Sequence, residues 1–368
     1  MLPSSRIPPL LQPYTRLPKD DSIILLTSVL GASANWLIIR FLCDALTTDF
    51  KSDNEGGNGA DGPEETAVVL VSWVREWEFW KSEGRKGGGL DLERLMMAKR
   101  IAFVDGLTGM FLPRVEGEKE MENEVERIPQ IAKTAEGLVR RTPQSIVPVR
   151  GPPGRTPARD PAAAVVASTT TWNSTSKNQP NTSTTPGFFT LTSPDLKPLS
   201  STISSAIAYL QPPSTTTKKI LLILDSPSIL LATSPSPSTS TLTSSTLCST
   251  LLTLQTNPPY PASHILVHLN ADTPLLSPSS PLEIDEHNLL VKLAHMSTRI
   301  CSCRVLDTGV ARDVSGVLGV TQNRVRGGLV LGMLEGEDEE STKGRELLYL
   351  VKGDGSVRVF ERGAGEGC

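Results

Sequence analysis

Ser22-Ile-Ile-Leu-Leu-Thr-Ser-Val-Leu-Gly-Ala-Ser-Ala-Asn-Trp36 begins as an apolar run, turns at a glycine and enters a stretch with helical spacing. A strand that feeds a helix in this way is where a nucleotide-binding α/β protein keeps its phosphate loop. Backbone N–H groups at such a turn, and at the helix N-terminus behind it, cradle anionic oxygens. The full loop pattern, G-x-x-x-x-G-K-[ST], adds a lysine for the outer phosphates and a hydroxyl for magnesium. No lysine occurs between Lys19 and Lys51. This turn is therefore expected not to clamp a triphosphate, and no cofactor is expected.

Working outward, Thr66-Ala-Val-Val-Leu-Val-Ser72 is an unbroken apolar run, the mark of a strand covered on both faces and hence parallel. Leu90 to Met97 reads as a short helix capped by Asp91, and Arg100 to Asp105 as the next strand. Order is expected to return with a helix over Leu199 to Leu210 and a strand over Lys219 to Asp225, followed by a helix over Leu247 to Gln255 and a strand over His264 to Leu269. A helix over Glu286 to Met296 is then followed by short strands at Thr298 to Leu306, Arg324 to Leu331, Glu346 to Val351 and Val357 to Phe360. Lys352-Gly-Asp-Gly-Ser356 has hairpin-turn chemistry. Alternating strands and helices predict a parallel α/β sheet, and the strand-rich tail predicts antiparallel edge strands. That combination favours a RecA-like member of the P-loop-type folds, with a degenerate nucleotide loop.

The chain has 368 residues, 29 of them proline, and the middle is so rich in Pro, Ser and Thr that one domain with long insertions is expected. The expected division is an N-terminal extension over 1–20, a first part of the RecA-like domain over 21–112, and a disordered insertion over 113–196. The second part of the domain covers 197–362, with a low-complexity loop at 233–245, and 363–368 form a tail. A net charge of −4 argues against coating nucleic acid through bulk positive charge. Five cysteines without paired C-x-x-C spacing fit a reducing compartment, and Cys301 and Cys303 read as a buried pair rather than metal ligands. Five prolines before Asp21 argue against a secretory signal, and Asn35 and Arg40 argue against a membrane span over Ile23 to Cys43.

Candidate chemistry is sparse. Asp225 and Asp105 each close an apolar strand, as a magnesium-binding carboxylate does in P-loop enzymes, yet an Asp there also serves as a turn or cap residue, which is the favoured reading for both. His264 and His268 lie four apart on one strand, about 13 Å from each other by the strand rise, too far to share a metal. Trp73, Trp77 and Trp80 recur at helical spacing, as a core-facing stripe or, with Phe79, as a partner surface. Arg75, Arg85 and Lys86 belong to a basic cluster that reads as a solvated helix face or as a phosphate-contacting patch. Arg85 and Lys86 sit in the glycine-rich stretch Lys81 to Gly89, expected to break the helix as a mobile loop. Arg299, Arg304, Arg312, Arg324 and Arg326 form a more dispersed second set.

Four segments, taken together and in order, resemble fungal Elongator complex protein 6: Leu25-Leu-Thr-Ser-Val-Leu-Gly-Ala-Ser-Ala-Asn-Trp-Leu37, Val69-Leu-Val-Ser-Trp-Val-Arg-Glu-Trp-Glu-Phe-Trp80, Gly89-Leu-Asp-Leu92 and Phe103-Val-Asp-Gly-Leu-Thr108. The resemblance covers Pro18 to Leu112 and, more thinly, Lys218 to Phe360. It implies a RecA-like subunit without working nucleotide motifs. Such a subunit joins Elongator complex proteins 4 and 5 in a hetero-hexameric ring, in the cytoplasm and nucleus. That ring serves the catalytic Elongator subcomplex, which modifies wobble uridines of tRNA, and is associated with tRNA binding and ATP hydrolysis. On this reading the chain is not itself an enzyme, its partners are those subunits and tRNA, and no membrane is involved. Trp77, Phe79 and Trp80 are the expected subunit-interface residues, and Arg75, Arg85 and Lys86 the expected RNA contacts. An active ATPase with an unconventional loop is the competing expectation.

Overall fold

Apolar runs of seven residues at Ser22–Ser28 (β1), Thr66–Ser72 (β2), Lys219–Asp225 (β5) and His264–Asn270 (β6) supply the middle of a ten-stranded sheet. Their near-total burial follows from helices covering both faces. Ile101–Asp105 (β3), Phe188–Thr190 (β4) and Arg299–Arg304 (β7) extend the parallel part. Gly316–Gln322 (β8), Arg345–Val351 (β9) and Val357–Glu361 (β10) add antiparallel strands at one edge. The order across the sheet is β10-β9-β8-β7-β1-β6-β5-β2-β3-β4. This is the mainly parallel α/β sheet with antiparallel C-terminal edge strands expected of a RecA-like chain. The computed structural model describes residues 6–47, 65–111, 185–211, 218–233, 242–256, 261–273, 277, 279–309, 311–322 and 344–362. All of them fall in one unit, Met1–Arg114 with Thr184–Cys368.

The pleat sorts side chains to two cores. Ile24, Leu26, Val68, Leu70, Ile223 and Leu266 face one side. There they meet the helices Gln12–Thr15 (α1), Asn35–Thr47 (α2), Trp77–Glu83 (α3) and Leu92–Met97 (α4). Leu25, Val69, Val71, Leu222, Leu224 and Val267 face the other. Thr108–Phe111 (α5) follows β3. Leu196–Leu210 (α6), Ile229–Thr233 (α7), Ser244–Thr256 (α8) and Pro281–Met296 (α9) cover that second face. The chain thus runs outward from β1 to β2 and β3 over one face and returns through β5 and β6 over the other. Adjacent strands β1 and β6 send their helices to opposite faces, which opens a crevice at their carboxyl ends.

Several expectations change. Order resumes before residue 197: β4 pairs with β3, and Leu191 is fully buried. The N-terminal extension packs on the domain through Ile7 and Leu11, and Arg299 donates to the Tyr14 and Arg16 carbonyls. β8 was not foreseen, because Gly316 and Gly319 dilute its apolar pattern. The strand expected at 324–331 lies outside the described residues, as do 363–368 and most of 113–196.

The tryptophan stripe also divides. α3 begins only at Trp77, so Trp73 precedes it and enters the core beneath α6, whereas Trp80 enters the opposite core beside α2 and α4. Trp73 and Trp80 are both fully buried. The glycine-rich stretch is no mobile loop: α3 continues as a π-helical turn, Gly84–Gly88, closed by Gly89 with φ 54°. Arg6 donates to the Gly88 carbonyl, and Arg40 of α2 donates to the carbonyls of Gly87 and Gly355. Gly355, in the β9–β10 hairpin, has φ 78°, and a Cβ there would stand 2.8 Å from the Gly87 backbone. Only glycine admits that approach.

Trp80→Ala is expected to lower unfolding stability by about 3–5 kcal/mol in urea titrations, the cost of an emptied aromatic core site.

Candidate functional site

Four of the central parallel strands end on polar residues at the same level: Ser28 on β1, Ser72 on β2, Asp225 on β5 and His268 near the end of β6. Register brings them together, since Ser72 pairs with Asp225 and Asp225 with His268 across neighbouring strands. The row closes the apolar sheet at its carboxyl edge, where α/β proteins place ligands.

Asp225 is the hub and is completely buried. Its Oδ1 accepts from His268 Nδ1 at 2.8 Å and Arg75 Nη1 at 2.9 Å; its Oδ2 accepts from Ser72 Oγ at 2.8 Å and the same Arg75 nitrogen at 2.9 Å. The carboxylate can take about four such contacts, and all are in use. Burial pushes this carboxyl up, but the hydrogen bond and charge of His268, the Arg75 guanidinium and Ser72 more than reverse it, holding Asp225 below its ordinary value. Farther out, His268 Nε2 meets Ser28 Oγ at 2.9 Å, and Ser28 reaches Asn270 Oδ1 at 3.2 Å. Ser226, next after the hub, holds φ 62°, a left-handed conformation uncommon outside glycine.

Arg75 is held from several sides. Besides Asp225, its guanidinium lies 5.5 Å from the Phe79 ring centroid and 6.0 Å from that of Trp80, within cation–π range. It therefore locks the start of α3 onto the strand ends. The turn after β1 is likewise occupied by its own chain: the Leu30 N–H donates to Asp272 Oδ1 at 2.7 Å, and the Ala32 N–H to the Val29 carbonyl at 2.9 Å. A protein carboxylate thus sits where a phosphate loop would offer a donor to an anion.

The sequence-derived candidates separate. Arg75, expected to touch RNA, is a structural cation engaged with Asp225, while Arg85 and Lys86 stand exposed on the π-helical turn, Lys86 3.7 Å from Glu83. Trp80 presents no contact surface because it is buried; Trp77 and Phe79 are half-buried, with Trp77 against Phe103 at 5.2 Å. Asp105 is the turn residue expected, accepting from the Leu107 and Thr108 N–H groups at 2.9 Å. Asp225 is not a cap at all, and the Asp225–His268–Arg75 hub was missed. The signal available was the row of polar residues that end consecutive apolar strands. His264 lies at the far end of β6, bonded to Ser22. Cys301 and Cys303 are buried free thiols, and burial raises Cys301 to about 12. Among the described residues no group of three His, Cys, Asp or Glu gathers as a metal would need, and no helix is long and apolar enough to cross a membrane.

No family model matches the chain, and no curated protein does. Among solved structures, it is similar to an uncharacterised protein of Pyrococcus horikoshii crystallised with an unknown peptide, at 9% identity over 97% of this chain and 98% of that one, with a TM-score of 0.49. It is also similar to a KaiC-like protein of Pyrococcus horikoshii OT3, at 10% identity over 97% of each chain, with a TM-score of 0.46. Likenesses this distant say nothing of activity, and the fold stands on its own strand order.

Asp225→Ala leaves Arg75 without its anion and is expected to cost about 3–5 kcal/mol at neutral pH. Because the folded carboxyl lies below its ordinary value of 3.8, its contribution is present above that pH and lost as pH falls through the folded value. Denaturation of wild type and variant between pH 7 and pH 2.5 should show the gap narrowing only below about 3.8.

Proposed function

We propose that this chain is a non-hydrolysing RecA-like subunit that joins Elongator complex proteins 4 and 5 in a hetero-hexameric ring. Within that ring it supports wobble-uridine modification of tRNA by the catalytic Elongator subcomplex, in the cytoplasm and nucleus, through assembly and tRNA contact rather than through chemistry of its own.

One observation carries the non-hydrolysing part of the reading. Asp225, fully buried at the end of β5, has its acceptor positions filled by Arg75, His268 and Ser72. A magnesium ion there would have to break the hydrogen bonds to Arg75, His268 and Ser72 and sit beside a fixed guanidinium. The missing lysine after β1 and the Asp272 carboxylate on the Leu30 N–H favour the same conclusion. The partner assignment rests on the four ordered segments between Leu25 and Thr108 that resemble the Elongator family. For RNA contact, Arg85 and Lys86 are the favoured pair, exposed on a turn that Arg6 and Arg40 hold in shape.

Affinity purification of the tagged chain followed by mass spectrometry tests the assembly: recovery of both sister subunits with the catalytic subcomplex is expected, and their absence overturns it. Titration of the isolated chain with ATP and magnesium is expected to show no saturable binding; tight magnesium-dependent binding would instead favour an active ATPase. Reversing charge at Arg85 and Lys86 together should weaken tRNA binding by the assembled ring by about tenfold at low salt and flatten its salt dependence, measured by filter binding.

A further inference from the structure

Between the β1–α2 turn, the end of α3, Ser315 and β9 lies a cleft of about 250 Å³, lined by Gly31, Ser33, Asn35, Trp36, Glu83 and Tyr349 among others. It lies apart from the Asp225 hub and shares no lining residue with it. Among the described residues, three buried polar atoms on its lining have no partner within hydrogen-bond geometry: Asn35 Oδ1, Trp36 Nε1 and the Tyr349 hydroxyl. Tyr349 is 98% buried, since only 2% of its surface is exposed, and Trp36 is nearly as enclosed. Their rings lie with centroids 4.7 Å apart and planes tilted by 34°, and the indole N–H leans toward the phenol oxygen. Unpartnered buried groups of this kind are uncommon, and several around one cleft point to a missing occupant.

The chemistry of the lining narrows that occupant. Its one formal charge is the Glu83 carboxylate, whose nearest cation, Lys86, is held loosely at 3.7 Å and does not line the cleft. Asn35 Oδ1 adds an acceptor that needs a donor, and the Tyr349 oxygen keeps a lone pair beyond the one facing the indole N–H. Acceptors and a carboxylate together complement a cation rich in N–H donors. The volume lies below that of most pockets for drug-sized ligands, so a head group on a slim carbon chain fits better than a nucleotide.

We infer that this cleft binds a guanidinium or ammonium head group, with Glu83 as its counter-ion and Asn35 and Tyr349 as hydrogen-bond acceptors. The head group arrives either on a free amine or on the arginine or lysine side chain of another protein. The site does not depend on ring membership.

Isothermal titration of the full chain with agmatine, and separately with an end-blocked tetrapeptide containing one arginine, tests the inference and distinguishes the sources. Saturable binding of agmatine alone assigns a free amine, binding of the peptide alone assigns a side chain, and binding of both assigns the shared head group. In each case Glu83→Gln should weaken binding about tenfold or more, since it removes the charge and keeps the shape. Glu93→Gln, at a residue that does not line the cleft and pairs with Lys81, should leave binding unchanged. Circular dichroism and thermal melts verify that both variants fold as the wild type does. No saturable binding of either probe by the folded wild-type chain, or equal binding by the folded Glu83→Gln chain, overturns the inference.

Discussion

A carboxylate with no exposed surface has to be neutralised where it sits, and Asp225 meets that requirement with a guanidinium, an imidazole and a hydroxyl drawn from three other points of the chain. Much of the carboxyl edge follows from this demand. Arg75 must lie close to the β5 terminus, which fixes where the backbone leaves β2, where α3 can begin, and why Phe79 and Trp80 bracket the guanidinium. His268 must turn Nδ1 inward, which leaves Nε2 facing Ser28 and ties the end of β6 to that of β1. The interaction spans four strands in a region that would otherwise be an open crevice. Buried ion pairs of this sort add little net stability over an apolar replacement, yet losing one partner is costly, so they specify geometry more than they add strength.

The fold was largely legible in the sequence because its central strands are buried on both faces. Val68 to Val71 and Ile220 to Leu224 have no polar interruption, and short β-branched runs of this kind suit a strand covered on both faces. The edge was harder. β8 carries two glycines and faces solvent at its end, so its pattern is weak, and β4 contributes only three residues. Phe188 and Leu191 make that short strand possible by packing on Phe103 and in the second core, contacts that no local pattern foretells.

The candidate site was less legible, and for a physical reason. Aspartate at a strand end looks the same whether it caps a turn, as Asp105 does, or anchors a buried network, as Asp225 does. The difference lies in what the neighbouring strands bring alongside, and neighbours in this sheet are far apart in sequence. The tryptophans mislead for a related reason. Spacing of three and four suggests one helical stripe, but a bend before Trp77 sends Trp73 and Trp80 to opposite sides of the sheet.

Arg40 joins three parts of the chain made at very different times during synthesis. Its guanidinium, almost wholly enclosed, has the Gly87 and Gly355 carbonyls as hydrogen-bond acceptors, and burial pulls it below its ordinary value. A ribosome releasing this polypeptide would expose α2 and the glycine turn long before the last hairpin emerges. Until residue 355 arrives, the cation lacks the Gly355 carbonyl and has reason to stay hydrated. Completion of this contact therefore waits for the β9–β10 hairpin, which ties one edge of the sheet back to α2 and the glycine turn across more than three hundred residues of intervening chain.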